Sequence, residues 1–386
     1  MNYQQADEQY IAHTYKRFPI VITKGQGSLV EDENGKEYID LGTGIAVNSF
    51  GVADPVWQEA VSVQIGKVQH MSNLYYTEPC IELAQMLCSR TGMKKVFFSN
   101  SGAEANECAI KVARKYAAAK KGADCFTIVT LENSFHGRTI TTLAATGQAH
   151  YHEDFQPLTP GFIHVKPGDM AALEAAAKEH KLAAVMIECV QGEGGVLPLD
   201  KDYVLALSQF VKDHDLLLIV DEVQTGNGRT GELYAYMHYG LSPDIVSTAK
   251  GLAGGLPLGA TLMNDKTQDV LSYGDHGSTF GGNPVSCAAG VSILSRIDDA
   301  LLADVRKKSA LIFDALKDAP GVEDVSGLGL MIGVKTTKPA AEVLAACMEN
   351  GLLCPTAKDR IRLLPALNIP EDILMKGIGI LKAACV

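Results

Sequence analysis

The sequence predicts an α/β protein, with a large domain built on a mostly parallel central sheet and a smaller α+β domain assembled from both ends of the chain. Three observations carry this expectation. Strand-length runs in the middle of the chain are apolar throughout instead of alternating, as strands buried on both faces are. Longer amphipathic stretches separate those runs. Both termini are mixed in pattern and rich in turn signals.

In chain order, Gly25-Gln26-Gly27-Ser28 and Glu33-Asn34-Gly35-Lys36 are turn signals that bracket Leu29-Val30 and Tyr38-Ile39 in a hairpin-like pattern. The apolar runs follow at Val96 to Phe98, Phe126 to Val129, Ala183 to Ile187 and Leu216 to Val220. Between the first two, Ala103 to Lys121 repeats Cys108, Val112 and Tyr116 every fourth residue beside Ala109, Ala113 and Ala117, which makes one helix with one apolar face. Repetition of strand, helix and strand implies crossover connections and a parallel sheet. After Gly282-Asn283-Pro284 come long helical stretches, then short strands near Leu330 to Val334 and Ile361 to Leu364. The expected division gives residues 50–280 to the larger domain, and residues 1–49 with 281–386 to the smaller one.

Composition narrows the function classes. Hydrophobic residues make up 47% of the 386 and charged residues 20%, enough for a sizeable core and unlike a disordered chain. Lys and Arg number 34 against 45 Asp and Glu, and the net charge of −11 repels phosphate backbones and anionic lipid surfaces. No basic patch reverses that field, so neither nucleic acid nor membrane is an expected partner. The nine cysteines show no C-x-x-C pair and no metal-ligand spacing with histidine, so no metal is expected and reduced thiols in a cytoplasmic protein are. The acidic, polar start of the chain lacks the pattern of a secretory signal.

Ligands of an open parallel sheet bind outside the carboxyl ends of its strands, so the residues after each apolar run are the ones to interrogate. Leu216 to Val220 runs into Asp221, Ala183 to Ile187 into Glu188, and Val96 to Phe98 into Ser99-Asn100-Ser101-Gly102-Ala103-Glu104. The last segment joins a strand to a helix, and it serves either as an ordinary cap or as an anion site on the first helical N–H groups. Lys250, among small residues and glycines in Ser247 to Gly255, lacks the amphipathic setting of a solvated lysine, although taken singly a surface position also satisfies it. A lysine amine condenses with aldehydes once burial or a neighbouring charge supplies its free base. Lysine, anion site and strand-end acid together fit pyridoxal 5'-phosphate, with the aldehyde on the lysine, the phosphate on the helix and the ring nitrogen against a carboxylate. The rival from another class is a non-catalytic dinucleotide-binding protein, but no G-x-G-x-x-G follows an early strand.

Over nearly its whole length the chain resembles the class III aminotransferases, pyridoxal-phosphate enzymes of fold type I. The carriers are S-G-A-E-A-N-E at Ser101 to Glu107, S-F-H-G-R-T at Ser134 to Thr139, V-Q-G-E-G-G at Val190 to Gly195, D-E-V-Q-T-G-N-G-R-T-G at Asp221 to Gly231, A-K-G-L-A-G-G-L-P-L-G at Ala249 to Gly259 and H-G-S-T-F-G-G-N-P at His276 to Pro284. The resemblance implies that Lys250 forms the Schiff base and that Asp221 pairs with the ring nitrogen. It implies further that Gly102 and Ala103 give backbone amides to the phosphate, that Phe135 lies on the ring, and that Gln224 sits near the ring hydroxyl, with Glu188 on the same edge. Thr279, with Ser278, is expected to reach the phosphate of a neighbouring subunit, so a homodimer with shared active sites is expected.

The resemblance also implies substrate contacts. Arg138 matches the residue that binds the α-carboxylate of ornithine-type donors, and Arg362 matches the clamp for 2-oxoglutarate or glutamate; both use the guanidinium fork. Glu193 matches a gate that pairs with Arg362 while an ω-amine donor is bound, and Tyr15 aligns near the substrate carboxylate. Ile45 stands where ornithine-specific members carry a tyrosine, which favours an acylated donor such as N-acetylornithine. Succinylornithine, succinyl-diaminopimelate, ornithine and 4-aminobutyrate are alternatives, as is a glutamate-semialdehyde-type aminomutase. The chain departs from the family at Asn48 to Pro55, where a His-x-His-Pro-like run is usual, and at Cys189, where proline is usual.

Overall fold

The computed structural model describes residues 2–386. A seven-stranded sheet occupies the centre, in the order Lys95–Ser99, Gly259–Met263, Ile245–Thr248, Leu217–Asp221, Leu182–Ile187, Thr127–Leu131 and Phe162–Val165. The last five strands of that order pair in parallel, while Gly259–Met263 runs antiparallel to both neighbours. The short connection from Thr248 to Gly259 leaves no room for a crossover helix, so the strand it delivers reverses direction. Every residue of Thr127–Leu131, Leu182–Ile187 and Leu217–Asp221 is buried, which is why these strands read as mostly apolar runs, broken only by Thr127, Thr130 and the terminal Asp221. Lys95–Ser99 and the central parallel strands all end on one edge of the sheet.

The helix Gly102–Lys121 starts at that edge. Ser101 caps it by accepting the Glu104 N–H at 3.2 Å, and the Glu104 carboxylate in turn accepts the Asn100 N–H at 2.9 Å. Its buried face includes Ala105, Asn106, Cys108, Ala109, Val112, Ala113 and Ala117, so one polar residue, Asn106, is carried inside with the apolar ones.

The two chain ends meet. Ile22–Gln26, Leu29–Asp32 and Glu37–Asp40 form an antiparallel meander, and Leu352–Leu353 from the far end of the chain adds to it in parallel. The turn before Glu37 is closed by the Asp32 carboxylate, which accepts the Asn34 and Lys36 N–H groups at 2.8 and 3.0 Å. Val322–Leu328, Met331–Thr336, Arg360–Leu363 and Thr356–Ala357 make a second four-stranded sheet. Ile39 and Leu41 share one hydrophobic cluster with Ile312, Ile332, Leu352, Ile361, Leu374 and Leu381, so residues from both ends of the chain close a single core. Lys36 reaches across to the Met348 and Glu349 carbonyls at the end of the helix Ala340–Glu349, where a cation meets the negative end of the helix dipole.

Asn48 to Pro55 is ordered by its own residues. Asp54 caps the helix Pro55–Lys67 and pairs with Arg296 at 2.8 Å, and the Arg296 guanidinium lies 3.9 Å from the Phe50 ring centre. All nine cysteines are free thiols, and Cys189 is fully buried under the sheet edge. Among the described residues no helix is long and apolar enough to cross a membrane.

Candidate active site

At the carboxyl edge of the central sheet lies a cavity of about 490 Å³ whose walls include Gly102, Ala103, Phe135, Arg138, Glu188, Asp221, Gln224 and Lys250. These residues come from separate stretches of sequence. They meet because each follows a strand of the same sheet or, for Lys250, sits in the turn between two of them.

Lys250 occupies a left-handed backbone position at φ 46°, a conformation that costs a non-glycine residue free energy and persists only when neighbours impose it. The neighbours are identifiable. Asn227 donates to Thr248 Oγ1 at 3.0 Å and to the Ala249 carbonyl at 3.2 Å, while Ser49 Oγ donates to the Gly251 carbonyl at 3.1 Å. A Cβ on Gly251 would stand 2.7 Å from Ser49 Oγ, so a larger residue there would displace the hydroxyl that makes this bond. Burial lowers the pKa of the Lys250 ammonium, opposed by the Glu193 carboxylate and aided by Arg362. The free amine is thereby favoured relative to a surface lysine.

Asp221 is fixed from three sides. Its Oδ2 accepts from Asn106 Nδ2 at 2.7 Å and from His136 Nδ1 at 2.8 Å, and its Oδ1 accepts the Val223 N–H at 3.0 Å. Three donors on one buried carboxylate set its direction toward the cavity. Among the described residues, His136 Nε2 and Asn106 Oδ1 find no partner, so polar capacity remains in this wall. Neither Asn106 nor His136 is singled out by the sequence, although both fall within quoted motifs; their partners become apparent only once helix and loop are packed together.

Glu188 joins two loops. Its Oε1 accepts the Phe135 N–H at 2.9 Å and its Oε2 accepts the Gly192 N–H at 3.3 Å, which ties the loop carrying Phe135 to the one carrying Glu193. Burial pushes the Glu188 carboxyl up to about 7, with His136 opposing and Asp221 adding to the rise. The folded chain therefore holds a proton between about 4.5 and about 7 that the unfolded chain has released. Stability from this group is fully present below the lower value and is lost as pH rises through the upper one. In the cofactor-free protein, Glu188→Gln is expected to lower Tm overall yet flatten its fall between about pH 5 and pH 7.5. Thermal melts across that range check this, and an unchanged slope would assign the dependence elsewhere.

Arg362 is buried beside the cavity, with Nη1 donating to Glu193 Oε1 at 2.5 Å and to Gln224 Oε1 at 3.0 Å, while Gln224 Nε2 donates to Glu193 at 3.3 Å. Burial pushes the Glu193 carboxyl up, but Arg362 and Lys250 outweigh it and hold the group below its usual range. The arrangement is a closed ion pair in which, among the described residues, the guanidinium Nε finds no partner.

Other expected residues lie elsewhere. Ser278 accepts from Asn100 Nδ2 at 3.0 Å, next to the helix N-terminus, and the adjoining Thr279 is exposed. Tyr15 is exposed and lines a separate cavity formed by residues of the N-terminal segment. Ile45, in a left-handed turn at φ 63°, lines a third cavity with Asp40 and Pro355, whereas Val47 lines the one holding Lys250.

The sequence profile of the class III aminotransferases matches residues 10–385. The chain belongs to the class III aminotransferases. It is 50% identical over 380 residues to the acetylornithine aminotransferase of Haemophilus ducreyi, covering 98% of this chain and 97% of that one. It is 42% identical over 392 residues to the succinylornithine transaminase of Yersinia pseudotuberculosis, covering 97% and 94%. Among solved structures, the ornithine aminotransferase of Toxoplasma gondii ME49 superposes with a TM-score of 0.95 at 32% identity, over 99% of this chain and 94% of that one.

Class III aminotransferases are pyridoxal-phosphate enzymes, and the residues present fit that group. The first N–H groups of the helix at Gly102 and Ala103 have no acceptor within the helix and open on the cavity. Space there is tight on the other side, since a Cβ on Gly102 would lie 2.6 Å from Val223 Cγ1.

Proposed function

We propose that this aminotransferase moves the terminal amine of N-acetylornithine to 2-oxoglutarate, yielding N-acetylglutamate 5-semialdehyde and glutamate, a reaction of arginine biosynthesis. The observation that carries the reading is the convergence of Lys250, Asp221 and the Gly102 helix start on one cavity, with the Arg362–Glu193 pair at its side. The name of the Haemophilus ducreyi relative supports the donor.

Lys250, Asp221, Gly102, Ala103, Phe135, Glu188 and Gln224 would hold pyridoxal 5'-phosphate. When bound, that group supplies an electron-withdrawing ring that lets the substrate carbon beside the amine lose a proton. Asp221 would face the ring nitrogen, and Phe135 would bound the ring. With that group bound, the Lys250 Nζ amine would take the proton from the substrate carbon beside the amine and hold it for return. Arg138 grips the donor carboxylate. Glu193 occupies Arg362 while the donor is present and releases it to the α-carboxylate of a five-carbon diacid.

A homodimer completes the reading. Leu74 and Tyr76 are 85% and 96% exposed, and Asn73 ties their segment to the Ser278 and Gly281 carbonyls beside the cavity. An apolar surface of this kind at a cavity rim is suited to a second copy, which would receive Ser278 and Thr279 at its phosphate.

Replacing Arg362 by alanine is expected to raise KM for 2-oxoglutarate by roughly 100-fold, because a buried carboxylate clamp is lost, while the donor half-reaction stays within a few-fold. Single-turnover kinetics of each half separate the two. The donor is tested by comparing N-acetylornithine, succinylornithine, ornithine and 4-aminobutyrate with 2-oxoglutarate as acceptor. Succinylornithine is the second reading, supported by the Yersinia relative's name, and the highest kcat/KM decides between them. Equal rates with ornithine would contradict an acylated donor.

A further inference from the structure

We propose that Tyr151 is a positioning residue for donor recognition, holding the Arg138 guanidinium over the cavity by its aromatic face. The inference rests on the reading of Arg138 as the donor-carboxylate contact. Arg138 is exposed, and among the described residues no carboxylate lies within ion-pair distance of it. Its guanidinium carbon instead sits 4.1 Å from the centre of the Tyr151 ring and 5.6 Å from that of Phe135. The two rings meet edge to face, with centroids 6.0 Å apart and planes at 73°.

The difference from an ion pair is chemical. A carboxylate partner would consume the N–H donors that a substrate carboxylate needs, and substrate would have to displace it. An aromatic face attracts the cation through its π-cloud and leaves the edge of the planar fork free to bind two oxygens. It also restricts a long side chain that would otherwise sample many rotamers in solvent.

Tyr151 is itself built into the site. It ends the short turn Ala149–Tyr151, which follows Gly147 and Gln148. The Gly147 N–H donates to Ser134 Oγ at 3.0 Å, and Gln148 Nε2 donates to the Ser134 carbonyl at 3.0 Å, so this segment is pinned to the residue before Phe135. Gly147 passes so near the strand end that a Cβ there would lie 2.0 Å from the Leu131 carbonyl oxygen. His150 packs on the Tyr151 ring with centroids 3.9 Å apart. Tyr151 is thereby held in register with Phe135 and Arg138.

The test uses the holoenzyme and two readouts: KM and kcat for N-acetylornithine and for glutamate, and calorimetric binding of N-acetylnorvaline, which keeps the carboxylate and acylated amine but lacks the reacting one. Tyr151→Leu is expected to weaken N-acetylnorvaline binding and raise donor KM about fivefold, leaving kcat within about twofold. Tyr151→Phe, which keeps the aromatic face, should behave as the parent. In an Arg138→Met background, Tyr151→Leu should add nothing further. Parent-like binding in Tyr151→Leu alongside weakened binding in Arg138→Met would overturn the role of Tyr151 and spare that of Arg138. No effect of Arg138→Met would remove the carboxylate reading and this proposal with it. Loss of kcat with both substrates, or failure of Tyr151→Phe to restore binding, would also overturn it.

Discussion

Lys250→Ala is expected to lower kcat by roughly 10⁴-fold with every donor, the upper end of what a positioned proton-transfer group contributes. Among the described residues no other lysine lines the cavity, and the neighbouring ionisable groups there are committed. His136 Nδ1 is bonded to Asp221, and both Glu188 oxygens accept backbone N–H groups. None can take over a proton at the substrate carbon. Cofactor retention should survive, because the helix start at Gly102 and Ala103 is unaltered. Steady-state rates with absorbance titration of pyridoxal 5'-phosphate check both halves of this expectation. Activity within tenfold of the parent would place the proton transfer on another residue.

Asp221→Asn carries the second largest effect. A unit charge about 4 Å from a ring cation gains roughly 4 kcal/mol at an effective dielectric near 20, so its removal is expected to slow kcat by about 10³-fold. Both half-reactions should slow alike, since each draws electrons into the same ring. That distinguishes Asp221 from Arg362, whose loss acts on one substrate. The amide also offers donors where Asn106 and His136 already donate, so a fall in Tm is expected beside the kinetic loss. Half-reaction rates measured by rapid mixing test the symmetry.

The sheet is legible in the sequence wherever burial on both faces forces an unbroken apolar run, as in Leu182–Ile187 and Leu217–Asp221. It is not legible at Ile245–Thr248 and Gly259–Met263, which are equally buried but contain Ser247, Thr248, Gly259 and Thr261. Polar side chains are tolerated inside where they find partners: Thr261 Oγ1 donates to the Ala105 carbonyl at 2.7 Å. Sequence pattern alone has no access to such a bond. The short strand Phe162–Val165, at the sheet edge and only partly buried over most of its length, escapes notice for the opposite reason.

The site divides in the same way. Asp221, Glu188 and the Ser101 to Glu104 segment are found by position, since strand ends in a parallel sheet face the ligand. Arg362 and Glu193 lie 169 residues apart, and no local pattern joins them. Only the family resemblance pairs them in advance. Asn106, His136 and Tyr151 act through other side chains, and a residue whose task is to aim another leaves no signature until the partner is in place.

The central claim is that Lys250 is the residue that binds the cofactor covalently opposite Asp221. Borohydride treatment of the holoenzyme fixes the cofactor to the lysine that carries it, and peptide mass mapping locates the added mass. The label is expected on the peptide containing Lys250, with none after Lys250→Ala. A label on a different lysine in the unmodified protein would contradict that claim.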